Sequence, residues 1–173
     1  VSSSSGDIWV YKDGHNYHKP GERSWGSVAV AGGGIAVAVD YGLGEEGGYI
    51  YTTSDYGQNW TQHRTFADGP SMQKKWNYAV ISADGRTIVA VSSDGYVCRG
   101  TSDGTAWSWA NPGTPGLNGC SGLCGNSNLS VISAINYKIG SPSEQHILVS
   151  KDYGKTWSNA ETLGKFWTGV ACS

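Results

Sequence analysis

Charged side chains make up only 15% of this 173-residue chain, against the roughly 25% usual for soluble domains. Long surface helices carry a charged face, so few are expected here. The formal net charge is −2, and the basic stripe of a nucleic-acid-binding protein is missing. No apolar run approaches the roughly 18 residues that a membrane-spanning helix needs. Residues Val1 to Gly6 lack the basic and apolar regions of a signal peptide, so a secreted form would have lost its signal already. With one Met and two Phe, the core must be built from Val, Ile, Trp and Tyr.

What the chain does have is 26 Gly, 8 Trp and 10 Tyr. It also repeats itself. Ser150-Lys-Asp152-Tyr-Gly154-Lys-Thr-Trp157 matches Thr53-Ser-Asp55-Tyr-Gly57-Gln-Asn-Trp60. Thr101-Ser-Asp103-Gly104-Thr-Ala-Trp107 is one residue shorter, and Tyr11-Lys-Asp13-Gly14-His-Asn-Tyr17 repeats that short form with Tyr for Trp. The aspartates stand at 13, 55, 103 and 152, spaced 42, 48 and 49 residues apart. Out of phase with them run Trp25-Gly-Ser-Val28-Ala-Val, Trp76-Asn-Tyr-Ala79-Val-Ile, Leu129-Ser-Val-Ile132-Ser-Ala and Trp167-Thr-Gly-Val170-Ala-Cys. Two further apolar runs lie between. One is Ile35 to Val39, echoed by Ile88 to Val91 and weakly by Tyr137 to Ile139. The other is Tyr49 to Tyr51, Tyr96 to Cys98, Ile147 to Val149 and Ile8 to Val10. Each is strand-length, β-branched or aromatic, and bounded by Gly, Ser or Asp. Four short strands per period of 40 to 50 residues define a β-propeller blade.

Asp at the start of the recurring turn accepts backbone N–H bonds, and Gly takes a backbone conformation closed to other residues. A turn present once per blade is read as structural, with Trp60, Trp107 and Trp157 covering the hairpins. The pattern Ser/Thr-x-Asp-x-Gly-x-x-Trp resembles the Asp-box, or bacterial neuraminidase repeat, over nearly the whole chain. The resemblance implies an all-β propeller of about four blades, each a four-stranded antiparallel sheet, forming one domain over residues 1–173. It is specific for fold and poor for function, since Asp-box propellers include sialidases, glucanases, sorting receptors, assembly factors and lectins.

Blade one is expected over 25–65, blade two over 76–110 and blade three over 129–160. The fourth would join a strand at Trp167 to Cys172 with strands from residues 7–18, and Val1 to Ser5 would supply part of its second strand. Closing the ring removes an exposed sheet edge. Two alternatives stay open. The strand at Trp167 to Cys172 would complete a neighbouring molecule's blade, in a head-to-tail contact, or these residues form part of a longer propeller.

Four cysteines, at 98, 120, 124 and 172, and two N-x-Ser/Thr sites, at Asn59 and Asn128, point to a secreted glycoprotein. No His or Cys cluster accompanies Cys120 and Cys124 to make a zinc site, so a local disulfide between them is expected. Cys98 and Cys172 would lie on opposite blades of a four-bladed ring.

Catalysis is not expected, and neither is a cofactor. Sialidases carry three arginines, a Tyr/Glu pair and an acid on a six-bladed ring; the only arginines here are 23, 64, 86 and 99, and the chain is too short for six such blades. Asp84 and Asp94 precede glycines in expected hairpin turns. Asp40, Glu45 and Glu46 share a Gly-rich loop that would either stay solvated or hold a calcium ion. No nucleophile elbow or phosphate-cradling loop is present. Trp25, Trp76 and Trp167 share one repeat position and are assigned to the core. Trp9, Tyr41, Trp109, Tyr137 and Tyr153 fall outside the repeats and are the candidates for a ligand or interface surface. The expected role is a non-enzymatic extracellular scaffold that associates with itself or with other extracellular proteins. The alternative is a lectin-like carbohydrate-binding module.

Overall fold

The computed structural model describes residues 6–12, 15–18, 22–43, 45–113, 117, 119–138, 141–165, 167 and 169–173. Asp13 and Gly14 lie outside the described residues, as do residues 1–5 and Ile139. β-Strands dominate, and there is no α-helix among the described residues. Strands β1 (Trp9–Lys12) and β2 (His15–His18) pair as an antiparallel hairpin. Three four-stranded antiparallel sheets follow, each with its strands in chain order. The first holds β3 (Trp25–Val30), β4 (Ala36–Asp40), β5 (Ile50–Thr53) and β6 (Thr61–His63). The second holds β7 (Trp76–Ile81), β8 (Thr87–Ser92), β9 (Val97–Ser102) and β10 (Trp107–Gly113). The third holds β11 (Gly122–Gly125), β12 (Ile132–Lys138), β13 (Ser141–Ser150) and β14 (Ser158–Lys165).

Residues directly opposite in a ladder share a face of the sheet, and successive residues alternate. That rule sorts the core. In the second sheet Ala90 pairs with Cys98, and Ile88, Gly100 and Trp109 lie in one row; this face meets Val37, Val39 and Ile50 of the first sheet. Val89, Val91 and Val97 point the other way, against Ile132, Ala134 and Leu148 of the third. Both faces of the second sheet are therefore buried, which is why β8 reads as an unbroken apolar run rather than an alternating one. The innermost strands of successive sheets are neighbours: β3 lies beside β7, and β7 beside β11.

Three expectations require correction. The third sheet begins at Gly122, not at residue 129. Leu129 sits in the turn between β11 and β12 with φ 57° and is buried, so its apolar side chain fills a turn rather than starting a strand. Asn126 closes that turn, accepting from the N–H of Val131 at 3.0 Å and donating to Ser130 Oγ at 3.0 Å. Ile132 to Ala134 thus belong to the second strand of the sheet.

The segment from Trp167 to Cys172 is not a strand at its described positions. It runs beside β11, with Val170 close enough that a Cβ on Gly122 would meet its Cγ1 at 3.4 Å. Side-chain packing and a disulfide hold it there in place of a ladder. A fourth four-stranded sheet is absent among the described residues, where the fourth unit is the β1–β2 hairpin.

The disulfide joins Cys124 to Cys172, and Cys98 and Cys120 are free and buried. Alternation explains why Cys120 and Cys124 do not pair. Leu123 packs into the core between the second and third sheets, so Cys124, one residue on, faces away from it. Cys120 is itself part of that core, on the opposite side of the sheet, and its thiol donates to Gly122 O at 3.3 Å.

Candidate functional site

The recurring aspartates close a turn at each described occurrence, with one shared pattern in the two long forms. Thr53 Oγ1 donates to Asp55 Oδ1 at 2.8 Å and accepts from the N–H of Gly57 at 3.0 Å. Asp55 in turn accepts from the backbone N–H of Asn59 at 2.9 Å. Ser150, Asp152, Gly154 and Thr156 reproduce the set at 2.8, 2.8 and 2.9 Å. In the short form, Asp103 accepts from the N–H groups of Thr105 and Ala106, and Ser102 Oγ from that of Gly104. Tyr56 and Tyr153, each between the Asp and the Gly, sit at φ 62° and 63°, so these loops hold a left-handed residue ahead of the glycine.

Hydrogen bonds to a carboxylate favour its charged form. The N–H of Ala106 and the Thr105 side chain push Asp103 down to about 2. The Thr156 hydroxyl and N–H do the same for Asp152, also to about 2. The N–H of Asn59 lowers Asp55. The Ser82 hydroxyl and the N–H of Arg86 lower Asp84, which lies in a turn of the same design between β7 and β8. Asp94 accepts from Ser92 Oγ in the next turn along. Asp40, 3% exposed, accepts from the N–H of Gly42 at 2.8 Å and lies 3.5 Å from Arg23 Nη1, so it closes its own loop. Glu45 and Glu46 are exposed.

The turns holding Asp55, Asp84 and Asp103 border a cleft of about 530 Å³ between the first and second sheets. Thr52, Thr61 and His63 reach it from β5 and β6, Asn59 and Asp55 from the turn between them. Asp84 and Arg86 enter from the β7–β8 turn, and Trp107 from the start of β10. His63 Nε2 lies 2.8 Å from Thr52 Oγ1, and burial pushes the His63 pKa down to about 4. Its ring centroid is 4.9 Å from that of Trp109.

A second feature is apolar. In the first sheet Val28 pairs with Ala38 and Val30 with Ala36, so both valines sit on the face turned away from the second sheet. They are 55% and 75% exposed. With Ile8, Ile35, Tyr56 and Trp60 they line a groove of about 400 Å³.

The aromatic candidates fare unequally. Trp109 is 3% exposed and belongs to the core, which corrects its assignment to the surface. Its ring faces the first sheet, stacked on Trp107 at 5.6 Å. It also covers Gly100, where a Cβ would lie 2.7 Å from it. Tyr153 is exposed beneath the guanidinium of Arg99, and Tyr41 is half-buried with the Lys75 ammonium 5.9 Å from its ring centroid. The side chains of Trp9 and Tyr137 lie outside the described residues. Asn59 and Asn128 are both exposed. Asn59 donates from Nδ2 to Asp55 Oδ2 at 2.7 Å, and Asn128 Oδ1 accepts from the N–H of Ser130 at 3.0 Å.

Sequence reasoning missed His63, Arg86, Val28 and Val30 as surface-forming residues. His63 and Arg86 reach one cleft only through the packing of two sheets, and no local spacing marks them. Val28 and Val30 alternate like any half-buried strand; their isolation becomes visible only once the neighbouring sheet is known to lie on the other side.

No family model matches the chain, and no curated protein matches it. Solved structures do. A chain from the crystal structure of a nidogen/laminin complex aligns with a TM-score of 0.63 at 15% identity, over 93% of this chain and 60% of that one. An ancestral GH74 enzyme aligns with a TM-score of 0.59 at 17% identity, over 86% of this chain and 22% of that one. The chain thus spans less than two thirds of either neighbour. At such identity the likeness speaks for architecture alone, and the architecture shared with the three stacked meander sheets is the β-propeller.

Proposed function

We propose that the chain is a non-enzymatic, extracellular β-propeller scaffold, one Asp-box domain over residues 1–173, that associates with further copies of itself. The observation that carries this reading is the open apolar face around Val28 and Val30. At both internal junctions one face of a sheet packs on the opposite face of the next. The first sheet presents one half of such a junction. The outer side of the third sheet, where Ile147 and Val149 are half-buried and the Cys124–Cys172 bridge holds the C-terminal segment beside β11, is the face that would receive it. Surfaces that repeat in this way are complementary head to tail. A net charge of −2 opposes their approach only weakly.

Other features support the remaining parts of the reading. A disulfide suits an oxidising compartment, and exposed Asn59 and Asn128 are open to glycosylation. No helix among the described residues is long and apolar enough to cross a membrane. A glycosidase acid needs a carboxyl whose pKa is raised, whereas Asp55 and Asp84 at the cleft are both lowered by their turns. Hydrogen exchange at low and high protein concentration tests the assembly. Slower exchange across residues 25–34 at high concentration, with 76–81 unchanged, is the expected result. Identical exchange at both concentrations would overturn it.

A further inference from the structure

We propose that the cleft between the first and second sheets binds a neutral pyranose sugar, with the Trp107 indole as its stacking wall. This is independent of assembly, which uses the opposite face of the first sheet. The cleft, about 530 Å³, falls within the roughly 300–1,000 Å³ range of small-ligand sites.

A pyranose ring has apolar C–H faces and an edge of hydroxyls that both donate and accept. The cleft offers both kinds of partner. Trp107 is half-buried and held at 26° to the buried Trp109, so its orientation is set before any ligand arrives. Hydroxyl partners stand around it. Asp84 spends Oδ1 on Ser82 and on the N–H of Arg86, which leaves Oδ2 to accept. Arg86 uses Nη1 on the carbonyl of Asp103 at 3.2 Å, which leaves Nη2 to donate. Thr61 and Asn59 face them from the first sheet. His63 lies deeper and is uncharged near neutral pH because burial disfavours its cation. The charged groups lining the cleft are Asp55, Asp84 and Arg86. One net negative charge works against sialic acids, uronic acids and sugar phosphates, and leaves neutral sugars as the class that fits. Among the described residues, the matching place at the second junction is filled. There Val89 packs so close to Gly154 that a Cβ on that glycine would meet it at 3.3 Å. The turn bordering the cleft on the second sheet is also the short form, with one residue fewer to cover the space.

The sugar has two sources, a separate oligosaccharide or a glycan carried on Asn59 at the cleft's own edge. Protein made in a host that does not glycosylate separates them. It is titrated with cellobiose, mannobiose, N,N′-diacetylchitobiose and sialyllactose while the indole N–H resonances are followed by NMR. For a separate ligand, a neutral disaccharide shifts the Trp107 resonance, and binding weakens about tenfold or more in Trp107→Leu, the size of a lost aromatic contact. Asp84→Asn keeps the turn acceptor and weakens binding while the folded spectrum is retained. For a tethered glycan, none of the disaccharides binds. The glycosylated protein then shows contacts between the first sugar on Asn59 and Trp107, and Asn59→Gln abolishes them. Neither pattern, or tighter binding of sialyllactose than of the neutral sugars, overturns the proposal.

Discussion

His63 is held between the Thr52 hydroxyl and the ring of Trp109, and desolvation there lowers its pKa from 6.5 to about 4. A depressed histidine pKa means that the unfolded chain binds the proton more readily than the folded one. The stability this residue protects is therefore fully present above pH 6.5, and it is lost as pH falls towards 4. The loss amounts to as much as about 3 kcal/mol. Urea unfolding at pH 7 and at pH 4.5 measures it. The difference should shrink in His63→Gln, which cannot titrate. Equal stability of the native chain at the two pH values would place His63 in water rather than in the junction. The turn aspartates titrate lower and act below this window. Their roles were legible from residue type, since a Ser or Thr two residues before an Asp, with a Gly behind, has few alternatives to a closed turn. His63 was not legible, because its partners come from another strand and another sheet.

Among the elements, β11 carries the sharpest consequence. Its alternation turns Leu123 inward and Cys124 outward, which selects Cys172 over Cys120 as the partner. Peptide mapping under non-reducing conditions should recover a Cys124–Cys172 link. Cys98 and Cys120 should stay unmodified by iodoacetamide until the chain unfolds. Burial pushes the Cys98 thiol far up and that of Cys120 to about 11, so neither offers a thiolate. The bridge closes 48 residues, and Cys172→Ser should cost roughly 2–4 kcal/mol. A Cys120–Cys124 link would contradict the face assignment. The first two sheets were readable in the sequence because their first three strands carry apolar runs and an Asp-box turn marks the last hairpin of each. The third misled for a definite reason. Its first strand, Gly122-Leu-Cys-Gly125, has almost no strand propensity, while buried Leu129 in the following turn imitates a strand start.

At the scale of the molecule, three sheets stack so that each internal junction buries one face against the next, and the first sheet's remaining face stays open at Val28 and Val30. The repeat period made the succession of four-stranded sheets readable. How the terminal segments behave was not readable, because a strand at Trp167 to Cys172 needs a ladder partner that no local pattern supplies. The segment instead rests on β11 through Val170 and Cys172. On this reading the open face joins copies of the chain. The most direct measurement is native mass by light scattering across a hundredfold range of concentration, with Val28→Asp and Val30→Asp alongside. The expected result is a mass above the monomer's that rises with concentration, and reversion to monomer in either variant, since a carboxylate cannot be buried there unpaired. A native chain that stays monomeric throughout, or assemblies indifferent to both substitutions, would contradict it.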